Sequence, residues 1–335
     1  MHEVFPDAPI YTSAYLSDHT FSEFQSAAIL TLPGSWLVNS ERRLKALFPL
    51  WVFGFARLNL RTFDVVLSST TWGAKFVSHA PSVRHVSYCY APTRLLWSPE
   101  AYNGMRAPIG PLTRLVELVR PRLQALDVRV MQRIARVATS CQNMATAIAD
   151  QYGISARIIH PPIRMSDYSV GLDRGDFYLT VSRLIAHKRV DLAIEACRRL
   201  GRKLVVVGDG PDAARLRSIA DGTVKFAGRV GDEALRQLYR TCRALIFPSK
   251  EDFGLAPLEA QASGSPVVAY GVGGVRETMI EGRTGVFFGS QDSEAIVEAI
   301  LRLEHAEFDA GAIRESVRRF DVEYFKQELR DFVLG

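Results

Sequence analysis

The sequence predicts an α/β protein built on parallel sheet. Three observations carry that expectation: short runs rich in Val, Ile and Phe, amphipathic helical segments between them, and Gly- or Pro-containing turns at the joints. In the second half the runs are residues 177–184 (FYLTVSRL), 203–210 (KLVVVGDG), 224–228 (VKFAG), 244–249 (ALIFPS) and 266–270 (PVVAY). Helical patterns fill the intervals at 190–200, 212–220 and 232–242. Strands that are apolar on both faces and alternate with helices imply βαβ units around a doubly wound sheet covered on each side.

The first half repeats the pattern less regularly. Residues 64–70 (DVVLSST), 84–90 (RHVSYCY) and 136–140 (RVATS) read as strands. The last two bracket a long helical region carrying Arg106, Arg114, Arg120, Arg122, Arg129, Arg133 and Arg136. Residues 142–152 read as a helix stopped by Gly153, and 156–163 as a strand running into Pro161-Pro162. That pair stiffens the chain into a connector and places a domain boundary near residue 170. The expected organisation is a domain over 1–170, a second over 171–320, and a C-terminal helix over 321–335 able to pack back on the first domain.

Composition narrows the class. A chain of 335 residues with 47% hydrophobic and 23% charged residues is an ordinary folded protein of about two domains. The four cysteines, Cys89, Cys141, Cys197 and Cys242, are too dispersed for a disulfide scaffold or zinc module. They fit a reducing, cytoplasmic setting. The apolar stretch 46–56 falls short of the roughly 20 residues of a spanning helix, and the N-terminus lacks the pattern of a signal peptide. Residues 1–170 hold 17 Lys/Arg and 11 Asp/Glu, whereas the remainder hold 24 and 25, so the positive excess lies in the first half. An acidic target fits this distribution, such as anionic lipid headgroups or a pyrophosphate; a solvated helix face fits it equally. No nucleic-acid-binding pattern accompanies the charge, so nucleic acid is not expected as a partner.

The most informative stretch is 249–274, SKEDFGLAPLEAQASGSPVVAYGVGG. A strand ends at Ser249, Gly254 lies in the turn, and a helix follows from Leu255 until Gly264. In an open α/β sheet this loop lies beyond the carboxyl end of a strand, where ligands bind. The N–H groups of Phe253 to Ala256 face such a ligand, and Glu251 and Glu259 are placed to accept hydrogen bonds from hydroxyl groups. Complementing the helix dipole accounts for Glu251 and Asp252 but leaves Glu259 unexplained. A second signal is Ser182-Arg183-Leu184 followed by His187-Lys188-Arg189, cations beside a helix start that suit a diphosphate or stand solvated in a loop. A third is the Gly208-Asp209-Gly210-Pro211 turn, which by itself need only reverse the chain.

Together the motifs VSRL (181–184), KR (188–189), VGDGP (207–211), FAG (226–228), PS (248–249), Glu251 to Glu259 and GSPV (264–267) resemble the donor domain of retaining glycosyltransferases of family 4. The resemblance implies the GT-B architecture, two Rossmann-like domains with parallel sheets facing across a cleft. EDFGLAPLEAQASG and VVAYGVGG are most similar to members that use GDP-mannose or related donors to build bacterial polysaccharides. In the first half, FPDAPIYTSAY, FDVVLSST and SYCYAPTRLLW are similar, more weakly, to the acceptor domain. Two departures stand out. The family's first strand and glycine-rich loop have no counterpart ahead of FPDA, which implies an incomplete N-terminal domain, and Tyr90 replaces a usual histidine.

The resemblance implies transfer of a hexose, mannose favoured, from a nucleotide-diphosphate sugar to a glycan or lipid-linked acceptor, with no metal or other cofactor required. GDP-mannose is the favoured donor and a UDP-sugar the alternative. Arg183 and Lys188 would hold the diphosphate, Glu251 would position the sugar and Glu259 the ribose. Phe253, Gly254, Leu255, Ser182 and Gly208 would complete the donor site, and Val230 would touch the base. Tyr90, Arg94 and Trp97 are the acceptor-side candidates. The basic helical region and Trp51-Val52-Phe53 would contact an anionic membrane surface from the cytoplasmic side. A non-catalytic nucleotide-sugar binder and a nucleotide-sugar epimerase are the alternative readings.

Overall fold

The computed structural model describes residues 1–335 except 18, 19, 39, 41, 42, 45, 46, 72, 78–80, 98–110 and 172; residues 22, 94, 95 and 111–117 are described by backbone alone. The chain divides into two compact units, Met1–Ile159 with Lys326–Gly335, and His160–Phe325. Residues 160–170, expected to end the first domain, thus lie in the second unit.

The amino-terminal unit contains β1 (Ile10–Thr12) and β2 (Ile29–Thr31), α1 (Phe48–Ala56), β3 (Val65–Thr70), β4 (Arg84–Cys89), α2 (Arg94–Trp97), α3 (Pro111–Gln132), β5 (Arg136–Thr139), α4 (Gln142–Tyr152) and β6 (Arg157–Ile158). β1 and β2 form a separate parallel pair, and β3-β4-β5-β6 form a four-stranded sheet whose ladders are all parallel. Gly153 ends α4 in the left-handed conformation, φ 67°. β6 is far shorter than the expected 156–163, because Pro161 and Pro162 have no N–H to give a ladder.

This unit holds a polar network centred on a fully buried ion pair. Lys75 Nζ lies 2.7 Å from Asp127 Oδ1, with side chains 1% and 0% exposed. Lys75 also donates to Thr93 Oγ1 at 2.9 Å and Tyr152 OH at 3.2 Å. Tyr152 OH and Trp97 Nε1 donate to Asp127 Oδ2 at 2.7 and 3.0 Å. A buried ion pair persists only when its remaining donors and acceptors are satisfied, and here β4's trailing loop, α2, α3 and α4 are tied together by that requirement.

The second unit contains β7 (Phe177–Val181), α5 (Val190–Leu200), β8 (Lys203–Val207), α6 (Ala213–Ile219), β9 (Val224–Gly228), α7 (Asp232–Thr241), β10 (Ala244–Phe247), α8 (Leu255–Ala262), β11 (Val267–Tyr270), α9 (Val275–Thr278), β12 (Gly285–Phe288), α10 (Ser293–Glu304) and α11 (Ala310–Ser316). The last helix, α12 (Val322–Leu334), begins here and ends in the amino-terminal unit. The sheet is six-stranded in the order β12-β11-β10-β7-β8-β9, and all its ladders are parallel. Successive strand residues feed opposite cores. Tyr178, Val206, Ile246 and Val268 pack on one face, Leu179, Val207, Leu245 and Val267 on the other. β12, with the run GVFF, was not among the strands expected from the sequence. Both units are α/β with parallel sheet, as expected.

Among the described residues no helix is long and apolar enough to cross a membrane. Trp51, expected at a membrane surface, is 3% exposed and donates its ring N–H to the Leu44 carbonyl at 2.9 Å. It is a core residue of α1; Phe53, two positions on, is 52% exposed and carries Arg57 over its ring at 3.8 Å.

Candidate functional site

The second unit's sheet reverses its winding between β7 and β10: β8 and β9 extend to one side, β11 and β12 to the other. Loops leaving the carboxyl ends of two such strands diverge and open a crevice, the usual ligand position in doubly wound sheets. Of the residues singled out from the sequence, Ser182, Arg183, Lys188, Glu251, Phe253 and Gly254 are carried by those loops.

After β7 the chain turns through Ser182, Arg183 and Leu184 and enters a short 3-10 turn at Ala186–Lys188 before α5. Arg189 closes that turn at φ 52°, the one non-glycine residue of positive φ found among the described residues. Lys188 Nζ donates to Glu251 Oε1 on the loop after β10, with the two side chains 17% and 26% exposed. Ser249 Oγ donates to the same carboxylate oxygen at 3.0 Å. The Glu251 backbone is pinned as well: its carbonyl accepts from Gly274 N at 3.0 Å, and Glu251 bridges Gly273. Gly273 has φ 91°, and a Cβ there would stand 2.3 Å from the Glu251 carbonyl oxygen, so glycine is required for the loops to meet.

The turn after β8 lies against the turn after β7. Gly208, at φ 126°, would place a Cβ 1.9 Å from the Ser182 carbonyl oxygen, and Gly210 one 2.2 Å from that of Leu184. The backbone of Leu184 donates to the Asp209 carbonyl at 3.0 Å. Ser182 Oγ, shielded from solvent in this junction, has no hydrogen-bond partner among the described residues. Buried hydroxyls are ordinarily paired, which sets this one apart. Arg183 is exposed and has no ion-pair partner among the described residues.

Gly254, φ 89°, opens α8, and no side chain caps the helix. The first-turn N–H groups have no intrahelical acceptor, and Pro257 removes one of them at no cost to the helix. Leu255 is 45% exposed, whereas Phe253 is 6% exposed. The Phe253 ring stacks on His160 at 5.4 Å and meets Phe320 edge-on at 5.8 Å. What Phe253 presents to the crevice is therefore backbone. Val230, on the turn between β9 and α7, is partly buried against the core that includes Tyr239.

Glu259 stands apart from the Lys188–Glu251 pair. Its Oε2 accepts from Tyr239 OH at 2.7 Å, and Tyr168 donates to the same carboxylate. Burial raises the Glu259 pKa above the ordinary range, and the two phenol donors pull it partly back. Sequence reasoning missed Tyr168, Tyr239 and His160, which lie in different segments with no local spacing to link them, and named Ser249 only as the end of a strand.

In the amino-terminal unit Tyr90 is 41% exposed, and its hydroxyl accepts from Ser69 at 3.3 Å. Trp97 commits its ring N–H to Asp127 and sets its ring perpendicular to Tyr152. Arg94 lies on α2, its side chain outside the described residues. Arg106 also lies outside them, and Arg114 is described by backbone alone. Among the described residues no cluster of three or more His, Cys, Asp or Glu is placed to hold a metal ion.

Fold and loop geometry thus define a two-unit α/β protein with a crevice at the winding reversal of its second unit. Residues 170–320 match the family model described as "Glycosyl transferases group 1". The chain is 35% identical over 156 residues to a D-inositol 3-phosphate glycosyltransferase of Frankia alni, a match covering 40% of this chain and 38% of that protein. It is 29% identical over 158 residues to the O-antigen chain mannosyltransferase C of Escherichia coli, covering 45% and 43%. It therefore spans less than half the length of these curated relatives. Among solved structures, Anabaena HepE in complex with UDP and glucose superposes with TM-score 0.67 at 18% identity, over 92% of this chain and 85% of that one.

Proposed function

We propose that the protein is a retaining hexosyltransferase that binds a nucleotide-diphosphate sugar at the β7/β10 crevice and transfers the sugar to a glycan or lipid-linked hydroxyl. The observation that carries the reading is the meeting of Lys188 and Glu251 at the winding reversal, inside the stretch that matches the group 1 glycosyltransferase family model. The chemical demand is to stabilise charge developing on the leaving diphosphate. Arg183, Lys188 and the N–H groups opening α8 supply fixed positive charge and dipole for it. Glu251, held in place by Ser249 and Lys188, accepts from sugar hydroxyls, since an ionised carboxylate only accepts. Glu259 retains lone pairs beyond those used by its tyrosines and takes the ribose hydroxyls. Ser182 Oγ gains a partner in the donor, and Val230 borders the base.

Mannose with GDP-mannose is the favoured donor, supported by the O-antigen mannosyltransferase relative; a UDP-sugar is the alternative, supported by the UDP-bound neighbour. Tyr90, Arg94 and Trp97 belong to the same proposal as acceptor-side residues, and cell-surface polysaccharide synthesis as its setting. A peripheral membrane contact is part of it: Leu118, Arg122, Leu126, Arg129 and Arg133 follow at helical spacing along α3 and its end, all exposed. Each basic residue near an anionic surface contributes about 1 kcal/mol. Co-sedimentation with anionic vesicles at low and high salt tests that contact, and indifference to the lipid removes it.

The site is tested by calorimetric titration with GDP- and UDP-sugars. Arg183→Ala, Lys188→Ala and Glu259→Gln should each weaken binding about 10- to 100-fold, the worth of a charge-assisted hydrogen bond. Unchanged affinity in all three removes the assignment. Tight binding without turnover supports the non-catalytic binder instead.

A further inference from the structure

Lys188 and Glu251 stand on separate loops, after β7 and after β10, and a third loop links the two. Residues 289–292 follow β12 and lead into α10. From this loop the Gln291 side chain donates through Nε2 to the Pro248 carbonyl at 2.8 Å, at the carboxyl end of β10. β12 lies two places from β10 in the sheet, so loop and side chain together cross the end of β11, about 10 Å between strand axes. The Gln291 carbonyl in turn accepts from Arg189 Nη1 at 3.5 Å, one residue beyond Lys188.

The meeting follows from parallel topology. α5 and α10 both start beyond the carboxyl ends of parallel strands, and Ala193, Ala196 and Cys197 of one share a core with Ile296, Ala299 and Ile300 of the other. The residues leading into the two helices are thereby neighbours. Asp292 fixes one side: it caps α10, its carboxylate accepting from Ala295 N at 2.8 Å. On the other side Arg189 holds φ 52°, a region that sterics disfavour for a residue with a side chain. Its Nε and Nη2 donate to the Asp191 carboxylate at 3.3 and 3.4 Å, which leaves Nη1 directed to Gln291. Strained backbone persists only where the surroundings over-determine it, and such positions gather at ligand sites.

We propose that Gln291 and Arg189 are positioning residues that set the separation of Lys188 and Glu251, and through it the hold on an intact nucleotide-sugar. The proposal rests on the reading of this crevice as the donor site. The contacts close a ring: Lys188 to Glu251 by their side chains, Glu251 to Pro248 along the chain, Pro248 to Gln291, Gln291 to Arg189, and Arg189 to Lys188 along the chain. One joint of such a ring cannot widen without straining the others, so the two loops keep one spacing. A nucleotide-sugar uses both ends of that spacing, its diphosphate at Lys188 and its sugar at Glu251. A nucleoside diphosphate uses the Lys188 end alone. Opening the ring at Gln291 or Arg189 therefore penalises the nucleotide-sugar selectively, which loss of a general fold contact would not do.

The test is calorimetric titration with GDP-mannose against GDP and, in parallel, UDP-glucose against UDP. Gln291→Met keeps the length of the side chain but cannot donate to Pro248. Arg189→Gly accepts the left-handed backbone and loses the guanidinium, so it should melt no lower than the wild type. Each variant should lower the affinity ratio of nucleotide-sugar to nucleotide about tenfold, the worth of one hydrogen bond, and change nucleotide affinity by less than about twofold. A ratio that stays at the wild-type value in both variants overturns the proposal. So does equal weakening of nucleotide-sugar and nucleotide, above all if Arg189→Gly also melts lower, which would make the ring a fold contact. Glu251→Ala separates this proposal from the site reading, because it should lower the ratio as well. If it does and the two variants do not, the positioning role falls and the donor site stands. If Glu251→Ala leaves the ratio unchanged, or neither pair of ligands binds, the site reading falls and the proposal with it.

Discussion

Gly208→Ala provides a quantitative test of how the donor crevice is assembled. A Cβ at this position would stand 1.9 Å from the Ser182 carbonyl oxygen, where real contacts do not fall below 3.0 Å. The obstacle is backbone, so the turn carrying Ser182 and Arg183 must move by at least the difference, about 1 Å. The left-handed φ of 126° adds strain of order 1–3 kcal/mol for a residue with a side chain. Gly208 N–H also donates to the Gly228 carbonyl at 2.8 Å, so relief by rotating the turn breaks that bond. A displacement of 1 Å in a binding constellation costs about 100-fold. Gly208→Ala should therefore bind nucleotide-sugar about 100-fold more weakly by calorimetry, with unfolding free energy in urea lowered by about 1–3 kcal/mol. Wild-type affinity in a folded variant would refute the argument, since the Ser182–Leu184 turn would then be shown to tolerate the shift. As an internal control, Gly222→Ala has open space around it and should leave affinity unchanged.

Other outcomes follow from the same geometry. Lys75→Ala should cost about 3–5 kcal/mol in urea unfolding, because it leaves Asp127 charged and buried; a cost below about 1 kcal/mol would show that water reaches the network. Burial raises the folded-state pKa of Glu259, so its contribution to stability falls as pH rises through the carboxylate range. Tyr239→Phe removes a donor to the anion and pushes that pKa higher still, so its destabilisation should be larger at pH 7 than at pH 4 by chemical unfolding; the opposite order refutes the ionic state assigned here. All four cysteines are buried, and desolvation pushes the Cys89 and Cys242 thiols up to about 11 and Cys197 to about 12. A thiol reagent at pH 8 should label the native protein slowly and four groups at once after denaturation.

The pattern of the sequence was enough for the class of fold and for the elements of the second unit from β7 to β11. Apolar runs alternating with helices of seven to eleven residues are a local signal, read within a short window of sequence. The order of Ser182, Arg183, Lys188, Gly208 and the Glu251–Glu259 segment along those elements also placed them at carboxyl ends of strands, which is a consequence of parallel topology. The first unit was less legible, because β1 and β2 have three residues each and a run that short carries no periodicity.

Tertiary structure alone decided which groups meet. Lys188 reaches Glu251 across 63 positions, and Lys75 reaches Tyr152 across 77. Trp51 and Trp97 look alike in sequence to an exposed aromatic, yet one ring is core and the other's N–H is spent on a buried carboxylate. The two tyrosines that hold Glu259 come from the connector near 168 and from α7. Hydrogen bonds and ion pairs act over a few ångströms and are indifferent to sequence separation, so they become readable only when packing has brought distant segments together.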